Sequence, residues 1–255
     1  MKALPAPKTS QIIDRINTLQ MASPYFLDPN SLSDQCRELR LIRREIDALF
    51  NVDARAAWEV QGAWYALVGN WDETEKAFNA SMKLGDSGTN FLNWGVNCVN
   101  LGMFSAAHEA YRVIGAPEMN HFTDAIRLGF GCGAIGQVAR FAERAEEMKI
   151  PWNEGDRETV MNAHKILAQA GITDERIARH LDVAGTVLRR HHIRNQAHPR
   201  VTVADGLFNG VTYVFSVPVS ANEAFDLNME LAAEEYAAGI EKDVAFDVVF
   251  EGTPA

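Results

Sequence analysis

GAWYALVGN (62–70), GVNCVNLGM (95–103) and GFGCGAIGQ (129–137) each hold a glycine, six residues and a second glycine. They begin at Gly62, Gly95 and Gly129, intervals of 33 and 34 residues, and share little else. A glycine within a helix lets a neighbouring helix come close, and one at a helix end accepts left-handed backbone. The spacing therefore reads as three helical hairpins in series, each first helix closed by Gly69, Gly102 or Gly136. Asp72 and Ser105 are the expected caps of the second helices in the first two copies.

The pattern resembles the tetratricopeptide repeat (TPR), a helix–turn–helix of 34 residues. With Gly62 on the repeat's glycine, Trp58, Tyr65 and Phe78 fall on its aromatic positions. Thr74 replaces its small residue, and Asp86 stands where proline is usual. The second copy matches through Phe91, Trp94, Gly95, Ala107 and Tyr111, with Cys98 at the Tyr position. The third matches through Leu128 and Gly129, with Cys132 at the Tyr position and Phe141 and Ala145 exchanged in size. The resemblance covers about 55–154 and implies a superhelix whose first helices line a concave groove that grips a protein segment.

Working outward, Ile12, Ile13, Ile16 and Leu19 mark a short helix that ends near Ser23-Pro24. A second runs from Leu32 to Phe50, with Ser31 or Ser33 as cap. Residues 156–170 and 173–193 read as two more helices. The period then changes. Val211, Tyr213, Phe215 and Val217 alternate as a strand partnered by Arg200–Ala204, with turn chemistry at Asp205-Gly206 and Asn209-Gly210. Ser220 to Glu223 form a capping box, and the helix it opens is expected to bury Phe225, Met229, Ala232, Ala233, Tyr236 and Ile240. Val244–Phe250 is the last strand. The expected fold is α+β: an N-terminal all-α TPR-like superhelix followed by a small β-β-α-β domain. Its parts are capping helices 1–54, repeats 55–154, a helical extension 155–197 and the α/β unit 198–255. The last part is barely large enough to be stable by itself and is expected to pack on the helices or on another subunit.

Net charge of −10 argues against bulk affinity for nucleic acid or anionic membrane. No apolar run reaches the ~20 residues of a membrane helix. Three cysteines, Cys36, Cys98 and Cys132, form no CxxC pair and read as core thiols of a reducing compartment, so the cytoplasm is the expected location. Cys98 and Cys132 occupy equivalent repeat positions, where helix spacing of roughly 8–10 Å keeps thiols apart.

Four asparagines, Asn90, Asn93, Asn97 and Asn100, share one helical face of the second copy. A carboxamide donates and accepts, and so matches a peptide backbone. Asn93 and Arg127 take the sixth position in successive copies. The resemblance implies a peptide-binding role there, although Glu59, Ala63 and Thr123 depart from the Lys, Asn and Lys of members that clamp a peptide's carboxyl end. The expected partner-binding set is Asn90, Asn93, Asn97, Asn100 and Arg127. The competing reading makes the asparagines a solvated or structural face.

Residues 173–194 offer two readings. One is a single amphipathic helix with Ile177, Leu181, Ala184 and Leu188 buried and Gly185 tolerated. The other is a helix-turn-helix in a DNA-binding regulator, with Arg189, Arg190 and Arg194 reaching DNA. Its turn is one residue short, and nucleic acid is not the expected partner. His180, His191, His192 and His198 invite a metal, but eleven helical residues span roughly 16 Å, so no metal ligand set is assigned. No nucleophile elbow, phosphate loop or metal-hydrolase motif is present. The expectation is no catalytic residue and no cofactor, with an unrecognised hydrolase or metal enzyme as the alternative. Glu223, Asp226, Glu230 and Glu234 form an acidic stripe, solvated or facing a basic partner or Arg37, Arg40 and Arg44. The sequence-based function is a scaffold or adaptor, with a partner segment in the groove and the α/β tail making a second contact or self-associating.

Overall fold

Tight turns of one kind join the helices in pairs. In a computed structural model describing residues 8–85, 88–114, 122–151, 153–204 and 208–253, Gly69, Gly102, Gly133 and Gly171 have φ of 76°, 67°, 85° and 69°. The residue after each donates its N–H to the carbonyl five positions back: Asn70 to Tyr65, Met103 to Cys98, Ala134 to Gly129 and Ile172 to Leu167, at 2.8–3.0 Å. This Schellman closure needs the left-handed backbone that glycine adopts without strain. It joins α3 (Ala54–Leu67) to α4 (Trp71–Lys83), and α5 (Gly88–Asn100) to α6 (Phe104–Ile114). It likewise joins α7 (Phe122–Cys132) to α8 (Ile135–Glu147), and α9 (Glu154–Gln169) to α10 (Asp174–Arg190). Ahead of them lie α1 (Lys8–Ala22) and α2 (Asp34–Leu49), the latter capped by Ser33. First helices pack on one another, α3 on α5 and α5 on α7.

The third hairpin differs from the sequence reading. Gly136 lies inside α8, and Gly133 is the left-handed residue that ends α7. Its terminator thus stands 31 residues after Gly102. Counted back from the terminators, Cys98 is four residues before its glycine and Cys132 only one, so the two cysteines are not equivalent. Both are buried and free. Asp86 lies outside the described residues.

The tail is β1 (Ala197–Ala204), β2 (Phe208–Val217), α11 (Ala221–Ala237) and β3 (Phe246–Gly252). The sheet order is β1-β2-β3, antiparallel with Arg200 opposite Thr212, then parallel with Tyr213 opposite Val248. Asp205 and Gly206 lie outside the described residues, while Asn209 and Gly210 pair within the ladder instead of turning. The Asn228 carboxamide closes the outer edge of β3, donating to Phe250 O at 2.8 Å and accepting from Phe250 N at 2.9 Å. The fold is α+β. The sheet shares its core with the hairpins: Phe104 meets Phe215 edge-on, and the Tyr213 hydroxyl donates to Phe130 O at 2.6 Å. A second buried cluster joins α1, α2 and α3 around Ile12, Leu39, Ile42 and Val60.

The buried face of α11 is Ala224, Leu227, Leu231 and Glu235. Phe225, Met229 and Tyr236, expected inside, are exposed, as are Ala232 and Ala233. Both faces are apolar, and contact with α10 and β3 selects the one carrying Leu227 and Leu231.

The second helices of the middle hairpins lack caps of their own. Met103 and Ala134 precede α6 and α8 and offer no side-chain oxygen. The caps come from α10. Asp182 Oδ1 accepts from Phe104 N at 2.6 Å and Ser105 N at 3.1 Å, while Asp174 accepts from Gly136 N at 2.8 Å and Gln137 N at 3.1 Å. Each carboxylate sits at the positive end of a helix dipole. At the opposite pole, Arg189 donates to Leu101 O at 3.0 Å and Gly102 O at 2.6 Å, at the end of α5. The expected caps Asp72 and Ser105 do not serve: Asn70 caps α4, and Ser105 is itself capped by Asp182.

Gly185 lies where α10 crosses Gly102. A Cβ there would fall 1.9 Å from the Gly102 carbonyl oxygen. Helix propensity alone predicts that Gly185→Ala stabilises α10 by about 1 kcal/mol. The crossing reverses the sign, and we expect urea unfolding to show a loss of about 1–3 kcal/mol or more.

Candidate functional site

Between α5 and α7 lies a cleft of about 430 Å³, lined by Asn93, Val96, Asn100, Asp124, Arg127 and Gly131 among others. A second, about 380 Å³, lies between α7 and α9 and includes Thr123, Phe130, Asn153, Asp156 and, again, Arg127. Arg127 therefore forms the ridge between two clefts. It is exposed and has no hydrogen bond or ion pair among the described residues.

The four asparagines divide. Asn90 is 1 % exposed; its amide donates to Ser81 Oγ at 3.4 Å and Gly85 O at 3.3 Å, and its carbonyl accepts from Arg55. It bolts α5 to the preceding hairpin and does not face the cleft. Asn97 is buried and donates to Asn93 O, one turn back, at 2.8 Å. Asn93 and Asn100, seven residues apart, line the first cleft, and Asn93 donates to Glu59. Of the expected set, the structure brings together Asn93, Asn100 and Arg127.

Sequence reasoning missed Asp124, Asn153 and Asp156. For Asp124 the signal was the true terminator of the third hairpin. Counted back from Gly133, Asp124 and not Arg127 matches Asn93, and Arg127 matches Val96.

The three arginines expected to reach DNA, Arg189, Arg190 and Arg194, have partners inside the chain. α10 is one continuous helix. Arg189 holds the α5 carbonyls, and burial lowers its pKa. Arg190 pairs with Glu230 and, at 2.8 Å, with Glu234. Arg194 is 5 % exposed, donates to the carbonyls of Gln20 and Ser23, and is brought down by burial to about 10. The segment that follows α1 is tied to the same place: Arg194 N donates to Pro24 O at 2.8 Å and Phe26 N to His192 O at 2.9 Å.

The acidic stripe follows suit. Glu230 and Glu234 face Arg190, and Glu230 also accepts from His191 at 2.7 Å, while Arg40 donates to Pro29 and Ser31 carbonyls instead of reaching the tail. His180 is buried 3.6 Å from Glu235, edge-on to Phe246, and Lys242 Nζ lies 2.6 Å from the same carboxylate. Among the described residues no group of three His, Cys, Asp or Glu converges as for a metal ion. No helix there is long and apolar enough to cross a membrane. Burial pushes the Cys98 thiol well up and the Cys132 thiol to about 12, which suits packing rather than reactivity.

Comparison with known protein families, curated proteins and solved structures finds no match for the chain.

Asn90→Ala removes a buried, bonded carboxamide and should cost about 1–3 kcal/mol in urea unfolding, whereas Asn100→Ala should stay within about 0.5 kcal/mol. Burial works to raise Glu230 and Glu235, but His191 and Arg190 in the first case, and His180 and Lys242 in the second, hold both below the ordinary 4.5. A carboxyl with a lowered folded-state pKa contributes stability above its unfolded value and loses it as pH falls through the lowered one. Thermal unfolding should therefore show a steep acid limb below about pH 4.5, made shallower by Glu235→Gln.

Proposed function

We propose that the protein is a TPR-like interaction scaffold whose first helices, α3, α5, α7 and α9, form a groove that holds an extended segment of a partner protein. The observation that carries this reading is Arg127, a cation unpaired among the described residues and set between two clefts, with Asn93 and Asn100 beside the first. A peptide has carbonyls at every residue, and a guanidinium flanked by carboxamides matches them through fixed donors. The glycine-closed hairpins and the packing of α3 on α5 and α5 on α7 support the repeat reading. Adjacent Asp124 and Asp156 favour a segment carrying its own donors over a plain polyanion.

The edge formed by the hairpin turns is covered by α10, the sheet and residues 24–27, while the clefts lined by the first helices stay open. The α/β tail provides the second contact, through self-association. Three free, buried cysteines accord with a cytoplasmic location.

The test is comparative affinity capture with the full chain and with Asn93→Ala/Arg127→Ala. Segments retained by the parent should bind the double variant at least about tenfold more weakly in calorimetry, a loss of about 1.4 kcal/mol. Equal affinity for every retained segment would end the groove reading.

A further inference from the structure

Helix α11 is apolar on both sides, and only one side is covered. Phe225 is 63 % exposed, Met229 57 % and Tyr236 90 %, with exposed Ala232 and Ala233 between them. The spacing of four, three, one and three places all five on one stripe. A single exposed apolar side chain is ordinary, but three large ones in register on one helix are not.

The charges that border the stripe have partners already. Glu230 and Glu234 pair with Arg190, and Glu223 closes the capping box with Ser220. A basic partner therefore finds little free charge there beyond Asp226.

The order of residues fits a copy of itself. Turned end for end about a two-fold axis between Glu230 and Leu231, Phe225 comes opposite Tyr236 of a second copy, and Met229 comes opposite Ala232. Both pairs share that midpoint, and the second sets a large residue against a small one. Such a self-complementary patch is what an isologous contact requires. The two alanines at the centre let the helix axes approach to the short end of the usual 8–10 Å.

We infer that this stripe is a homodimer contact, in which α11 of two copies of the chain pack antiparallel about a two-fold axis. The inference deepens the self-association part of the proposed function and does not depend on the groove. Each copy carries a net charge of −10, so the copies repel and the contact is made by apolar surface. Salt then screens the repulsion and tightens the dimer, the opposite of its effect on docking to a basic partner.

Sedimentation velocity of the full chain, over a concentration series at low and high salt, tests this. The expected result is a monomer–dimer equilibrium that tightens with salt. Phe225→Lys and Tyr236→Glu should each weaken it at least about tenfold. An equimolar mixture of the two variants should regain affinity, because the introduced ammonium of one copy then faces the introduced carboxylate of the other. Both positions are exposed, so the fold is retained, and Met229→Glu provides a third disruption. A monomer at every concentration, a dimer that salt loosens, a dimer indifferent to all three substitutions, or a mixture that fails to recover would each overturn the inference. The Asn93→Ala/Arg127→Ala chain should dimerise normally, so a failed groove and a failed dimer are told apart.

Discussion

The structure depends on one helix laid across the ends of others. α10 presents Asp174 and Asp182, two turns apart, to the N-termini of α8 and α6, and Arg189 to the C-terminus of α5. Opposite charges thus meet opposite dipole ends along one contact line. Gly185 against Gly102 makes the approach close enough for those side chains to reach. Without α10, the first turns of α6 and α8 would lack side-chain acceptors, because Met103 and Ala134 cannot supply them. The hairpins are therefore not a free-standing array.

The candidate site follows from this arrangement. The turn edge of the hairpins is occupied by α10, by the sheet through Tyr213 and Phe215, and by residues 24–27. The faces of α5, α7 and α9 away from it keep their clefts, and Arg127 stands between them. The same docking places Arg189, Arg190 and Arg194 inside or along the seam and holds α11 through His180 and Glu235 as well as Arg190 and Glu230. The covered side of α11 is thereby fixed, and its second apolar side is left facing outward.

Much of the fold was legible because local chemistry and periodicity agree. Ile12, Ile16 and Leu19 announce α1, Ser220 and Glu223 the start of α11, and the alternation around Tyr213 the strand β2. Other information was not local. GFGCGAIGQ offers four glycines, and only the folded backbone, with Gly133 left-handed and Ala134 N bonded to Gly129 O, shows which one ends the helix. Asn90 and Asn100 share a face on paper, but the neighbouring Ser81 and Gly85 take one of them into the interior. In α11, Leu227 with Leu231 and Phe225 with Met229 are equally good buried pairs by spacing, and only contact with α10 and β3 decides between them. Likewise nothing local marks Asp174 and Asp182 as caps, since their partners lie 38 and 78 residues away.

The central claim is that α10 caps the second helices across the chain, and amide exchange resolved by residue tests it most directly. In Asp182→Ala, the amides of Phe104 and Ser105 should lose protection while those of Gly136 and Gln137, held by Asp174, keep theirs. Unchanged protection at Phe104 and Ser105 would contradict the account.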